Sequence, residues 1–291
     1  MKVVCLDAGH ITGANRSPCV FDYSEGTQMW LLHEMLGVAL QEKFSDVQVN
    51  YTRNSPTQNL RPDGGEDVYE RGLMGKGADL FLSLHSNASN NEHCDDINFV
   101  YVVCPYDGIN NSANIGKFIA DKVDDAMCET EAELGMPRTG TRQGSRGEWY
   151  GVMRGARDAG VPLYFIIEHG FHTNEGNAKA LLDSQNLATI AALEAEMIGR
   201  ILELTPREYI AGDVNGDGKL TPVDYAMLKR FLLGTYVLTE EQMKRADVDG
   251  DGHISTKDYA MLKRIILGTY NPFKMPDTKN AQIKYDKTEI C

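Results

Sequence analysis

The sequence has no apolar run near the ~18 residues of a membrane span, which excludes a transmembrane helix. Nor does it have a basic bias. It holds 29 lysines and arginines against 42 acids, a formal charge of −13, which argues against nucleic acid as a partner. Cysteine is sparse and irregular. The six at 5, 19, 94, 104, 128 and 291 form no CxxC and no regular spacing, so neither a zinc ribbon nor a disulfide scaffold is expected. Some of them can pair, but spacing does not say which. The opening MKVVCLDAGH reads as a strand rather than a basic, apolar and cleavable leader.

What is present is an ordinary globular balance of 42% apolar and 24% charged residues in 291, enough for about two domains. Residues 1–206 carry 29 acids and 16 bases, hence the whole net charge, read as a solvated acidic surface. Strand patterns at 2–7, 48–52, 79–85, 97–103 and 161–168 alternate with helical periods at 26–43, 113–128, 150–158 and 177–203. Such alternation predicts an α/β domain, a mostly parallel sheet flanked by helices, over residues 1–205. A short linker is expected at 206–211, a duplicated module at 212–270 and a polar tail with little structure at 271–291.

The duplication is plain: GDVNGDGKLTPVDYAMLKRFLLGTY (212–236) returns as ADVDGDGHISTKDYAMLKRIILGTY (246–270). Each copy opens with Asp or Asn at loop positions 1, 3 and 5, Gly at 6 and Asp at 12. These are Asp213, Asn215, Asp217, Gly218 and Asp224, then Asp247, Asp249, Asp251, Gly252 and Asp258. Calcium needs six to eight oxygens, alternate residues of a tight loop point inward, and glycine permits the sharp turn. The carbonyls of Lys219 and His253 would fill position 7, and Thr221 or Ser255 position 9 through water. So many carboxylates in one loop would repel one another without a cation. Two structural Ca²⁺ ions are therefore expected.

A helix follows each loop, whereas PREYIAG before the first has no amphipathic pattern. Loop, duplicated helix and Leu-Lys-Arg together resemble a type I dockerin, a small all-α module of paired loop-helix F-hands. That resemblance implies a cohesin of a cellulosome scaffoldin as partner. It implies contacts through Pro222, Val223, Lys229 and Arg230 in one copy and Thr256, Lys257, Lys263 and Arg264 in the other. The copies differ at the first two of these positions, which speaks against symmetric two-way binding. It also implies an extracellular or cell-surface location, so a leader is expected outside this sequence. A monomer is expected before docking.

In the first domain three apolar strands end in polar residues. KVVCLDAGH ends in His10, ADLFLSLH in His85 and PLYFIIE in Glu168. Function gathers at the carboxyl ends of strands in open α/β sheets, and two histidines there suggest zinc with a third His or carboxylate ligand. Glu25 is the best third ligand. It sits at the centre of the apolar face set by positions 29, 32, 36, 39 and 40, whereas Glu34 lies on the opposite side.

LDAGH, SEG, YTR, ADLFLSLHSNA and EHGFHTN, in this order over 2–204, resemble the zinc-dependent N-acetylmuramoyl-L-alanine amidases of the amidase 3 family. The resemblance implies one zinc on His10, Glu25 and His85 and Glu168 as acid/base. It implies cleavage of the amide between the muramic acid lactyl group and L-alanine of peptidoglycan. It further implies Arg71 and Asn87 as supporting or substrate-contacting residues. This chain departs from the family pattern at Ile11 and at His169 and His172, read as extra acid/base or ligand groups or as surface and groove positions. His33 and His93 read as structural or surface residues. The polar stretches 88–112 and 129–149 are read as loops that wall a groove or bind glycan, and Arg138, Arg142 and Arg146 either meet stem-peptide carboxylates or belong to a solvated loop. Two competing readings remain: a zinc hydrolase of this fold acting on another amide, and a non-catalytic wall-binding dockerin protein.

Overall fold

The computed structural model describes residues 1–89, 94, 96–130, 132, 134–206 and 210–269. His93, most of the polar stretch around it and the tail 271–291 lie outside the described residues. Contacts divide the chain between Pro206 and Arg207.

The first unit runs β1 (Lys2–Ala8), α1 (Glu25–Lys43), β2 (Val47–Tyr51), α2 (Val68–Leu73), β3 (Leu80–Asn87), β4 (Tyr101–Val103), α3 (Ser112–Cys128) and β5 (Arg138–Gly140). It continues with β6 (Gln143–Gly144), β7 (Gly147–Glu148), α4 (Gly151–Asp158), β8 (Leu163–Phe171), α5 (Glu175–Leu182) and α6 (Ser184–Ile201). The sheet order is β2-β1-β3-β8-β4-β5. Only the β4–β8 pair is antiparallel. The expected mostly parallel α/β sheet is the observed fold.

Strand alternation sorts the side chains onto two faces. Val4 and Leu6, Leu80, Leu82 and Leu84, and Phe165 and Ile167 join the apolar stripes of α1, α3 and α6 in the larger core. Cys5, Phe81, Tyr164 and Ile166 face Val152, Met153 and Ala156 of α4 in the smaller one. There α2 crosses α4 so closely that a Cβ on Gly72 would stand 2.1 Å from the Val152 carbonyl. Along β3 the α4-side residues read Phe81, Ser83, His85, so this face turns polar towards the strand's carboxyl end.

Three local expectations are corrected. The helix expected over 177–203 is two helices, because Asp183 adopts an extended conformation and accepts hydrogen bonds from the Gln185 and Asn186 N–H groups (2.7 and 3.2 Å). The strand expected over 97–103 is regular only at Tyr101–Val103. The stretch 129–149 is not all loop. It contributes β5 to the main sheet and the β6–β7 hairpin, anchored by the buried Glu148 carboxylate, which accepts from the Tyr106 N–H and the Tyr164 hydroxyl. A disulfide joins Cys19 and Cys94, their Cα atoms 5.4 Å apart.

The second unit contains α7 (Pro222–Leu232), α8 (Glu240–Ala246) and α9 (Thr256–Ile266). Helices α7 and α9 follow the two loops as expected. The short α8, entering the second loop, was not expected; its capping box between Thr239 and Gln242 is the local cause. Repeat-equivalent residues share the core: Val214 with Val248 and Leu228 with Leu262. Tyr225 stacks on its equivalent Tyr259 at 4.2 Å.

Candidate active site

The end of β1 is shaped by backbone before any side chain acts. His10 holds a left-handed φ of 57°, a strained conformation for a residue with a Cβ. Arg53, buried after β2, secures it by donating to the carbonyls of Ala8 and His10, each at 2.6 Å. Gly9 has to be glycine, since a Cβ would lie 2.5 Å from the His85 ring. Gly26 has to be glycine as well, since its Cβ would lie 1.9 Å from the Ile11 carbonyl oxygen. The AGH, SEG and YTR motifs are thus parts of one close approach between the β1 loop and the start of α1.

That approach brings His10, Glu25 and His85 together, their ligand-capable atoms all within 4.8 Å of one another. Glu25, only 2% exposed, accepts from the Asn15 amide at 2.7 Å and from the Ser86 N–H at 3.1 Å. Its other contacts are His85 Nδ1 at 2.9 Å and His10 Nε2 at 3.5 Å. Burial works against its charge, but the hydrogen bond and charge of His85, with His10 behind, hold it well below the usual carboxylate range. Burial lowers His10, so its ring is neutral at neutral pH. Burial also opposes the charged form of His85, but Glu25 overrides it and raises the ring.

A chain of hydrogen bonds fixes the His85 tautomer. Asp7 is fully buried at the end of β1; burial would raise it, but Arg71, Ser83 and Thr52 hold it low. The Ser83 hydroxyl donates to Asp7 Oδ2 (2.6 Å), so its oxygen accepts from His85 Nε2 (3.1 Å). That leaves Nδ1 directed at Glu25, the arrangement in which an outer carboxylate orients a ligating histidine. His10 Nε2, which meets the Asn15 amide at 3.1 Å, faces the same carboxylate, and one carboxylate with two imidazoles is a donor set suited to a divalent transition metal.

Glu168 stands beside this group. It is opposite His85 in the β3–β8 ladder, and its Oε2 is buried with no hydrogen-bond partner. Burial pushes its carboxyl up to about 7, with Glu25 adding to the rise and His85 opposing it. Such a group can carry a proton in either direction near neutrality.

Arg71 is placed behind the site, donating to Asp7 (3.3 Å) and to the Ala8 carbonyl (2.8 Å), where it supports β1. Asn87 lies at the end of β3, and its carbonyl accepts the His172 N–H (2.8 Å). The expectation of surface or groove positions for His169 and His172 is wrong. His169 is fully buried on the opposite face from Glu168, between the His85 carbonyl (2.9 Å) and Glu194 of α6 (2.6 Å). It fills a bulge in β8, where the three steps from Glu168 to Phe171 face two on β3 and Gly170 has φ 91°. His172 is buried against Ser86 and stacks on Tyr23. His33 is buried between Trp30 and Tyr51. The sequence reading missed Asp7, Arg53, Ser83 and Glu194. For Asp7 a signal was present, an acid inside an apolar strand three residues before His10.

In the second unit, Asp213 accepts the N–H groups of Gly216, Asp217 and Gly218, and Asp224 those of Asn215 and Thr221. Asp247 and Asp258 repeat the pattern, and Asp247, Asp249 and Asp258 cluster within 4.8 Å. Asp217 and Asp251 accept from the N–H groups of Lys219 and His253. The second loop thus gathers its carboxylates as calcium coordination requires, and the first repeats its backbone hydrogen bonds. Pro222, Val223, Lys229 and Arg230, and Thr256, Lys257, Lys263 and Arg264, are all exposed. Lys257 reaches back to Asp249 at 2.5 Å and Asp251 at 3.8 Å. Its equivalent, Val223, has no charge to do so.

The family model for N-acetylmuramoyl-L-alanine amidase matches residues 4–200, and that for the dockerin type I domain matches residues 211–267. Among solved structures, the catalytic domain of the amidase CwlV from Bacillus (Paenibacillus) polymyxa var. colistinus aligns with a TM-score of 0.54 at 18% identity. It covers 70% of this chain and 100% of that one. The CwlD amidase of Clostridioides difficile, solved with the GerS lipoprotein, aligns at 0.54 and 20% identity over 70% of this chain and 99% of its own. An N-acetylmuramoyl-L-alanine amidase from Clostridium difficile 630 aligns at 0.52 and 17% over 69% and 97%. No curated protein sequence matches the chain.

Proposed function

Given that the chain belongs to the N-acetylmuramoyl-L-alanine amidase family over residues 4–200, we propose that its first unit hydrolyses the amide joining N-acetylmuramic acid to L-alanine in peptidoglycan. The observation that carries this reading is the convergence of His10, Glu25 and His85 next to the half-buried Glu168, whose Oε2 has no hydrogen-bond partner. The three residues would hold one zinc ion. When bound, zinc supplies an acidified water and a Lewis-acid contact for the scissile carbonyl.

The chain's own part is proton movement and support. Glu168, ionised, takes a proton from the attacking water as the new C–O bond forms. It then delivers that proton to the alanine nitrogen as the C–N bond breaks. Burial favours the protonated carboxyl, so Glu168 can hold the proton between the two transfers. Asp7 and Ser83 keep His85 in the tautomer that presents Nδ1, and Arg53 and Arg71 keep β1 where His10 is needed.

The second unit, matched by the dockerin model, would bind two structural calcium ions. They would be held by Asp213, Asn215, Asp217, Asp224 and the Lys219 carbonyl, and by Asp247, Asp249, Asp251, Asp258 and the His253 carbonyl. Its exposed helix positions would engage a cohesin, attaching a secreted enzyme to a scaffoldin at the cell surface. Mass spectrometry of digested peptidoglycan tests the chemistry. Stem peptides with a free N-terminal L-alanine, released by the zinc-loaded enzyme and not after chelation, are the expected result. Wall binding with no such peptides would contradict it.

A further inference from the structure

Four residues from adjacent strands stand in one register: His85 on β3, Glu168 on β8, Tyr101 on β4 and Arg138 on β5. Register partners share a face of a sheet, so the row runs outward from the candidate metal site along one surface. Tyr101 is half-buried, and its ring extends along β5. A Cβ on Gly140 would stand 2.0 Å from the phenol oxygen, so glycine there makes room for it. Among the described residues the phenol, standing over β5, makes no hydrogen bond, and on the neighbouring β8 Glu168 Oε2 is buried without one.

Beyond Tyr101 the surface becomes cationic within an otherwise acidic unit. The Arg138 guanidinium lies over Phe99 at 3.9 Å. Arg142 lies over Trp149 at 4.2 Å, where the Trp149 N–H bonds to the Arg142 carbonyl at the base of the β6–β7 hairpin. Neither arginine is paired with a carboxylate among the described residues.

The order of the row gives a direction. On the amidase reading, on which this inference rests, the scissile carbonyl lies at the His85 end and the departing nitrogen at Glu168. The peptide must then continue over Tyr101 towards β5. Adjacent strands are about 4.8 Å apart, so Arg138 lies roughly 10 Å beyond His85's neighbour Glu168, the reach of a peptide's second residue and its side groups. We propose that Tyr101, Arg138 and Arg142 form the subsite for the released peptide. There the arginines bind the free carboxylate of its second residue, and the Tyr101 hydroxyl hydrogen-bonds the backbone between. The enzyme therefore discriminates between stems in which that carboxyl is free and stems in which it is amidated.

The test uses two synthetic muramoyl tripeptides that differ only in whether the second residue carries a carboxylate or a carboxamide, with the full-length, metal-loaded chain. Wild type should cleave the acid with a kcat/KM about tenfold above the amide, the size expected for one charge-assisted contact. Arg138→Gln/Arg142→Gln should abolish that preference through a raised KM on the acid while changing the amide less than about twofold. Tyr101→Phe should weaken both substrates alike through KM. Equal kcat/KM for the two substrates in wild type, or an equal loss on both in the double variant, overturns the subsite and leaves the amidase reading standing. Failure of wild type to cleave either overturns that reading and the subsite with it.

Discussion

The two units gather carboxylates in opposite ways. In the first, one buried glutamate meets histidines from two strands, and the supports come from far along the chain: Thr52 lies 45 residues from Asp7 and Ser83 lies 76 from it. In the second, each loop closes within twelve residues, and its own backbone N–H groups satisfy the carboxylates. The first site therefore depends on the whole sheet, whereas each loop of the second unit depends on its own short segment. In both, carboxylates brought this close repel one another and a cation relieves them.

Changes at the first site should reveal a division between chemistry and support. Glu168→Gln is expected to cut turnover by about 10²–10⁴-fold while zinc content and melting temperature stay at wild-type values. Quantified peptide release with metal analysis checks this. Arg71→Ala acts on the support. It strips the counter-charge from buried Asp7 and should destabilise the first unit by about 3–5 kcal/mol, read by denaturant titration, while calcium affinity in the second unit is unchanged.

Ion removal sharpens the contrast. A calcium-selective chelator should unfold the second unit, seen as lost helical signal, and leave amide hydrolysis intact. A zinc-selective chelator should do the reverse.

Acidity separates the sites as well. In the metal-free first unit, His85 is raised and Glu25 lowered. The His85 contribution is complete below its ordinary 6.5 and fades as pH rises through the folded value. The Glu25 contribution is complete above its ordinary 4.5 and fades only in strong acid. Metal-free stability from this pair should peak between those two values. Zinc, which must displace the His85 proton, should bind more weakly as pH falls. Melting curves and zinc titrations across pH 4–8 test both statements.

The smallest effect concerns Lys257, two-thirds exposed and paired with the second loop. Lys257→Val should raise calcium affinity there by no more than about fivefold and leave the first loop untouched, as isothermal titration can resolve.

How much could be read from the chain follows from the same contrast. The two Asp-rich loops are legible because spacing alone carries their geometry. In the first unit, the strand-ending His10, His85 and Glu168 and the helix-face Glu25 are legible from periodicity, and they meet in space. Their supports are not. Arg53 and Ser83 gain their roles only once β1, β2 and β3 lie side by side. His169 looked like a groove residue because the bulge that turns it into the core, towards Glu194, leaves no local pattern beyond Gly170. The break between α5 and α6 was legible in principle, since Asp183 is an ordinary helix cap.

His10, Glu25 and His85 are proposed as one preassembled metal site. Anomalous diffraction at the zinc edge from crystals of the zinc-loaded chain decides this. A single zinc peak is expected in the first unit, within bonding distance of His10 Nε2, Glu25 and His85 Nδ1, and lost in Glu25→Ala. A zinc peak elsewhere in that unit, or one that persists unchanged without Glu25, rules the site out.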